Sequence, residues 1–284
     1  MSLESVVVLS ERGSQAARDY LSRSVGSPQS IAPLPRVCAQ LAQLTAQQAT
    51  DAVQLARLIQ SDPALAGEIM RVANSPALRP RTAIVSLQQA VSWLGVAEVR
   101  NIAMAVMLRG EVFVAPGHEP ESEELWREAW LAGLWAKEIA RERRKHVESA
   151  FLAALMHRTG AALALKILSR FEVEQRTVMD ARTFGDLVVE FESTLGRLLM
   201  DSWLLPKDVQ DAASDWRNYR QSNQSDLAGT VHAAHLLATH TLHPQRLDED
   251  VVIENPVFEH LGVFPDDRRR MLAKRDHVRT LAGL

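Results

Sequence analysis

Apolar side chains recur three and four positions apart along almost the whole chain, the spacing that lines one face of an α-helix. Val53, Leu55, Ala56, Leu58 and Ile59 make one such face, which predicts a helix starting after Thr50-Asp51 and ending near Gln60. Ser61-Asp62-Pro63 reads as an N-cap followed by proline in a first turn, opening a helix through Leu65, Ile69, Met70 and Val72. Asn74-Ser75-Pro76 ends it, because a residue before proline avoids helical angles. Ser86 and Gln89 have capping-box spacing for a helix that closes at Leu94-Gly95, and Val96–Leu108 follows with a strongly apolar face. Pro35–Leu44 predicts an earlier short helix. Arg12–Ser24 is helical in pattern before Gly26-Ser27-Pro28 breaks it, and Leu3–Leu9 is the one strand-like stretch. Residues 1–28 are therefore read as an N-terminal extension.

Gly110, Pro116, Gly117 and Pro120 mark residues 110–122 as an internal linker. Beyond it the helices lengthen. Glu123–Arg144 carries Trp126, Trp130, Leu134 and Trp135 as anchors. Val147–Leu168 is nearly all apolar and is predicted as one central buried helix. Further helices are predicted at 183–202, 206–220, 226–242 and 265–282, with Pro206 and Pro265 in first turns. The fold class is all-α, with a lobe of short helices (29–109) joined by the linker to a lobe of long helices (123–225). Residues 226–284 are expected to pack on the second lobe.

Composition narrows the partners. A formal net charge of -3, with 24% charged residues, gives no global reason to bind nucleic acid or an anionic membrane. The single cysteine, Cys38, cannot form an internal disulfide and reads as a small core residue rather than a reactive thiol. No apolar run reaches membrane-spanning length, and Met1-Ser2-Leu3-Glu4 lacks the start of a signal peptide. Together these features lead to the expectation of a cytoplasmic protein. The basic runs Arg141–Lys145 and Arg268–Arg275 are flanked by acids and end helices, so they read as solvated faces. The tryptophans fall at helical spacing and are read as core. His232, His235, His240 and His243 lie on one predicted helix. The pairs 232/235 and 240/243 could each present two imidazoles, but no carboxylate or cysteine nearby would complete a metal site.

Two adjacent stretches resemble the HDOD family, a relative of the HD-domain phosphohydrolases. They are Ile59-Gln60-Ser61-Asp62-Pro63-Ala64-Leu65 with Arg71–Ser75, and Ser86–Gly95 with Val99-Arg100-Asn101. Asp62, Pro63, Asn74, Ser75, Leu94 and Gly95 carry the motifs. Ile31–Pro35, Leu125-Trp126-Arg127, Ala150–Leu155, Leu195-Gly196, Trp203 and Leu205-Pro206 fall in family order, so the resemblance spans about residues 30–222. After Asn74-Ser75 the family often has an aromatic-and-glycine turn, and here stands Pro76-Ala77-Leu78-Arg79-Pro80. The resemblance implies an HD-like bundle acting in bacterial signalling beside two-component or cyclic-dinucleotide proteins. HD phosphohydrolases bind metal through a dispersed His…His-Asp…Asp set. Aligned to it, this chain has Glu128, then His157-Arg158, then His235. An arginine cannot be a metal ligand, so neither metal nor catalysis is expected. Arg158 is instead expected to pair with Glu128 first and Glu192 second, or to turn outward into solvent. His157 is expected to be a helix-face histidine satisfied by a backbone or carboxylate hydrogen bond. Recognition of a partner protein is the expected activity. The alternatives are a nucleotide or small-molecule sensor anchored by Arg158, and a residual phosphohydrolase.

Overall fold

The computed structural model describes residues 7–8, 11–25, 52–60, 62–76, 78, 80 and 82–284. The expected helix at Pro35–Leu44, the Ile31–Pro35 opening, Cys38 and the Thr50-Asp51 cap lie outside these residues. The described chain is all but entirely helical. Its two short strands, β1 (Val7–Val8) and β2 (Thr177–Val178), pair in parallel and fasten the start of the chain to the second lobe. Helix α1 (Glu11–Val25) follows and buries Ala17 and Leu21 in that lobe's core.

The first lobe is built from α2 (Ala52–Gln60), α3 (Pro63–Ala73), α4 (Leu87–Leu94) and α5 (Val96–Glu111), which close around Leu55, Ile59, Leu65, Ile69, Val91 and Ile102. The motif residues make the turns between these helices. Asp62 caps α3 by accepting from the Leu65 backbone N–H at 3.0 Å. Asn74 ends it, because its amide oxygen accepts from Ile84 N–H at 2.9 Å and its amide NH2 donates to Ile84 O and Met70 O. One side chain thus ties the helix end to a segment ten residues on. Ser86 caps α4 through Gln89 N–H, while the Gln89 side chain reaches one residue beyond a regular capping box, to Val85 N–H. Gly95 stands between α4 and α5 at φ +83°, a conformation that excludes most side chains, and the two helices bend there by 111°.

The second lobe is organised on α6 (Glu119–Glu142), α7 (Val147–Met156) and α8 (Thr159–Gln175). Around them pack α9 (Ala181–Ser202), α10 (Lys207–Ser214), a 3-10 turn (Trp216–Gln221) and α11 (Ser225–Leu242). Four short helices complete the chain: α12 (Glu249–Ile253), α13 (Pro256–His260), α14 (Pro265–Leu272) and α15 (Arg275–Ala282). Trp135 is fully buried where α6 crosses α11, and its indole N–H donates to Thr241 Oγ1 at 3.0 Å, so its large apolar surface leaves no orphan donor. The lobes meet along α5 and α6–α7, where Arg100 and Asn101 both reach Glu148 and Lys137 pairs with Glu98.

Several expectations need correction. Val147–Leu168 is two helices, α7 and α8, separated by a turn at His157-Arg158. The break falls on His157-Arg158-Thr159 and Gly160, a short polar interruption between two long apolar runs that are both buried. Thr159 Oγ1 donates to the Met156 carbonyl at 2.7 Å, satisfying an acceptor freed at the break. The linker is shorter than 110–122, since α5 runs to Glu111 and α6 begins at Glu119. The stretches 206–220 and 265–282 each break in two. The basic runs are not simply solvated. Arg143 pairs with Asp226 and donates to Leu261 O, and buried Arg268 donates to Val263 O and Ile253 O, so both hold loop carbonyls. By length and composition Val147–Gln175 could cross a membrane, but 83% of its apolar window is buried inside the protein.

Candidate functional site: an arginine between two carboxylates

The α7–α8 break presents two consecutive side chains sideways into the second lobe. Gly160, one turn later, allows the start of α8 to lie directly against α9. A Cβ there would sit 1.7 Å from the Glu192 carbonyl oxygen. This close crossing brings Glu192 of α9 to the same point as Glu128 of α6.

Arg158 lies between the two carboxylates. Its Nη1 donates to Glu192 Oε2 at 3.0 Å, and its Nε lies 2.9 Å from Glu128 Oε2, off the line of a hydrogen bond. The arginine side chain is 13% exposed and that of Glu192 8%, so the outward-turned alternative is not the one adopted. Both expected acids engage it: Glu128, named first, as an ion pair, and Glu192 through the aligned hydrogen bond. Glu192 serves a second cation as well, accepting from Arg217 Nε at 2.5 Å. The Arg217 guanidinium in turn stacks over Trp216 at 4.2 Å. Burial pushes the Glu128 carboxyl above its usual range, and Arg158 only partly offsets this.

His157 turns the other way. Its Nδ1–H donates to Ala154 O at 2.5 Å, which leaves the Nε2 lone pair to accept from His235 Nδ1–H at 3.1 Å. Trp216 covers both rings, 4.4 Å from the His235 centroid and edge-on to His157. Burial first, and then the neighbouring charges Arg158 and Arg217, hold both imidazoles well below the usual histidine range, so they are neutral. The remaining histidines of α11 diverge. His232 Nδ1 bonds Trp216 O, His240 Nδ1 bonds Leu247 O, and His243 Nε2 meets Glu124. Neither i,i+3 pair converges on one point, and no group of three or more metal-ligating side chains occurs among the described residues.

The four aligned positions are thus brought together, but bound to other protein side chains through ion pairs and hydrogen bonds. The HD pattern implies a bound metal, and this donor set does not fit one. A guanidinium stands where a carboxylate ligand would be, and both nitrogens of His157 are already engaged.

In front of Arg158 and Glu128 opens a cavity of about 700 Å³ between α6, α8, α9 and the end of α11. Glu121, Glu124, His118, Leu165, Phe184 and His243 are among its lining residues. Sequence reasoning weighed His243 only as half of an i,i+3 histidine pair and gave the others no role. They come from four helical segments far apart in the chain, which only the fold brings together. Arg217 and Trp216 were missed for the same reason.

The buried imidazole pair makes a pH prediction. The unfolded chain protonates both histidines near pH 6.5, while the folded chain does so only at lower pH. Between those values the unfolded state binds more protons, so stability must fall as the pH drops. From about pH 7.5 to about 5.5 the loss should be about 2–3 kcal/mol for the pair; His232, also held below its usual range by burial, adds in the same sense, and Glu128, whose raised pKa acts in the opposite sense, reduces it. Urea unfolding at the two pH values measures it. His157→Asn should remove about a third to a half of the loss, since one of the lowered imidazoles is gone; an unchanged loss would contradict the assignment.

Comparison with known proteins places the chain in a family. The HDOD domain model matches residues 31–218, and the chain belongs to the HDOD domain family. Among solved structures, a candidate metal-dependent phosphohydrolase from Shewanella amazonensis SB2B is similar at TM-score 0.72 and 18% identity, covering 96% of this chain and 99% of that one. An HDOD domain protein of unknown function from Geobacter sulfurreducens is similar at TM-score 0.69 and 18% identity, covering 95% and 98%. A candidate signal transduction protein from Marinobacter aquaeolei VT8 is similar at TM-score 0.65 and 20% identity, covering 98% of this chain and 67% of that one. At these identities the likeness establishes the HD-like helical fold. No curated protein matches the chain significantly.

Proposed function

We propose that this protein is a non-catalytic signal-transduction regulator that recognises a partner protein on a degenerate HD scaffold. The observation that carries the reading is Arg158 held between Glu128 and Glu192. A permanent cation there supplies internally the charge that a metal would have supplied. The description of a similar structure as a candidate signal transduction protein supports the same role. The partners proposed are components of a two-component or cyclic-dinucleotide pathway.

A recognition surface is offered by the first lobe. Trp93 is 51% exposed and lines a groove with Pro80, Ile84, Gln89 and Ser92. A half-exposed tryptophan in a groove is the kind of anchor that dominates protein interfaces. Pro80, from the stretch after Asn74-Ser75 that departs from the usual family pattern, lines this groove, so the specificity should be this chain's own.

The test has two arms. Purified protein should show no turnover of phosphoesters or cyclic dinucleotides with manganese, iron or magnesium. Turnover lost in His157→Ala would overturn the non-catalytic reading. Arg158→Asp alone should not create activity, because Glu128 and His235 still differ from the HD ligand set. In the second arm, a partner captured from the native cell should be depleted about tenfold or more by Trp93→Ala, the loss expected for removing a central anchor. The variant should melt like the parent. Equal capture by both forms would remove this face from the proposal.

A further inference from the structure

Given partner recognition as proposed above, on which this rests, we infer that the seam between the two lobes is a helix-docking channel. Helix α15 is its resident occupant, and an amphipathic helix of the partner protein takes the place of α15. One stripe of α6 runs the length of the seam. Trp126, Trp130, Leu134, Lys137 and Arg141 follow at spacings of three and four residues and span about 22 Å. The first lobe faces this stripe with Val72, Leu94, Ile102 and Val106. Among the described residues, the seam is incompletely filled. A cavity of about 680 Å³ lies at Trp126 and Trp130, and one of about 290 Å³ at Leu134 and Lys137. The end of α15 stands between them: Val278 and Leu281 line the smaller, Ala282 and Gly283 the larger. Trp93 lines the smaller cavity as well as the outer groove, so the channel opens directly onto the recognition face.

Helix α15 is held there by few contacts. Val278 is fully buried, but Asp276 and His277 are exposed, and Leu281 and Ala282 are only partly buried. At its start Lys274 donates to Glu138 at 2.8 Å. At its end Gly283, at φ +77°, brings the backbone against Arg71 of the first lobe, where a Cβ would lie 3.0 Å from Nη1. A helix of eight residues is unstable alone, so α15 is helical only while seated.

The resident helix shows what the channel accepts. Lys274, Val278, Leu281 and Ala282 continue one face, a cation followed one turn later by an apolar i, i+3, i+4 set. The Glu138 side chain is 10% exposed, and without Lys274 it keeps only Arg141. A competing helix therefore needs a cation one turn before its first apolar anchor. The cavities on either side leave room for larger apolar side chains than Leu281 and Ala282, and filling that space gains contacts that α15 does not make.

A labelled peptide with the sequence of Ala273–Leu284 is the probe, read by fluorescence anisotropy against the full chain. It should bind Val278→Ser, in which the resident helix is unseated, with saturation. The parent should bind it at least about tenfold more weakly, because its channel is free only in the small fraction of molecules that have released α15. A peptide carrying Val278→Ser should bind neither form. If Val278→Ser does not fold, Leu281→Ser, at a partly buried position, takes its place. Hydrogen exchange of the parent needs no variant: amides of α15 should exchange at least about tenfold faster than those of α6, as expected for local release. Excess peptide should also displace a partner captured by the Val278→Ser protein. Equal affinity for parent and variant, no saturable binding to the variant, protection of α15 equal to that of α6, or a partner retained undiminished would each overturn the inference. The peptide reads the channel without any cellular partner. Capture through Trp93 without peptide binding would therefore overturn the channel alone, and peptide binding without capture would overturn the recognition reading.

Discussion

Gly160→Ala should destabilise the protein by about 3 kcal/mol or more, at or beyond the upper end of ordinary overpacking costs. The added methyl would lie 1.7 Å from the Glu192 carbonyl oxygen, 2.7 Å from its carbon and 2.8 Å from the Gly196 nitrogen. All three are backbone atoms of α9 and cannot rotate aside. Relief requires α8 and α9 to separate, which loosens the packing of buried Leu163, Leu195 and Leu199 and draws Glu192 away from Arg158. Alanine's better helix propensity, about 1 kcal/mol, does not offset this. Gly185→Ala is the matched control. It lies in the same α9, its Cβ would meet nothing within 4 Å, and it should stabilise by about 0.5–1 kcal/mol. Urea denaturation of both variants gives the comparison. A Gly160→Ala protein within about 1 kcal/mol of the parent, a typical point-mutant effect, would mean that the crossing is looser than described.

That crossing also shows where sequence reading stops. The helices themselves were legible, because apolar spacing and local signals such as Asp62-Pro63, Ser86…Gln89 and Gly95 act within a few residues. The break at His157-Arg158 was not, because a polar triplet and one glycine, His157–Gly160, are too short a signal to divide a run that is apolar and buried on both sides. Arg158 could be singled out from sequence, since a guanidinium at a ligand position must find a carboxylate. The way each partner engages it could not. It depends on Gly160 admitting the backbone of α9, and on Arg217 arriving from 25 residues beyond Glu192. The basic runs misled for a related reason. Charge density along the chain does not reveal that Arg143 and Arg268 turn inward onto carbonyls of a neighbouring loop.

Arg158→Ala should cost about 4 kcal/mol at neutral pH, within the range for a buried ion pair that loses one partner. The loss arises because Glu128 and Glu192 are left facing each other with only Arg217 nearby, too little to neutralise two largely buried carboxylates. Replacing the acids separates their roles. Glu192→Ala strips the aligned bond from Arg158 and also frees Arg217, so it should be the more damaging. Glu128→Ala removes an off-line ionic contact and should cost about 3 kcal/mol, the lower end of that range. The pH dependence supplies a signature that lost packing would not. Without Arg158 the Glu128 carboxyl, which burial already holds above its ordinary range, loses the charge that offsets this and must rise further. The folded variant then takes up protons before the unfolded chain does, and the deficit against the parent should shrink as the pH falls from about 7 toward about 5. Urea unfolding of the parent and Arg158→Ala proteins across that range measures the difference. A deficit that stays constant with pH, or an Arg158→Ala protein as stable as the parent, would show that the arginine does not neutralise this site.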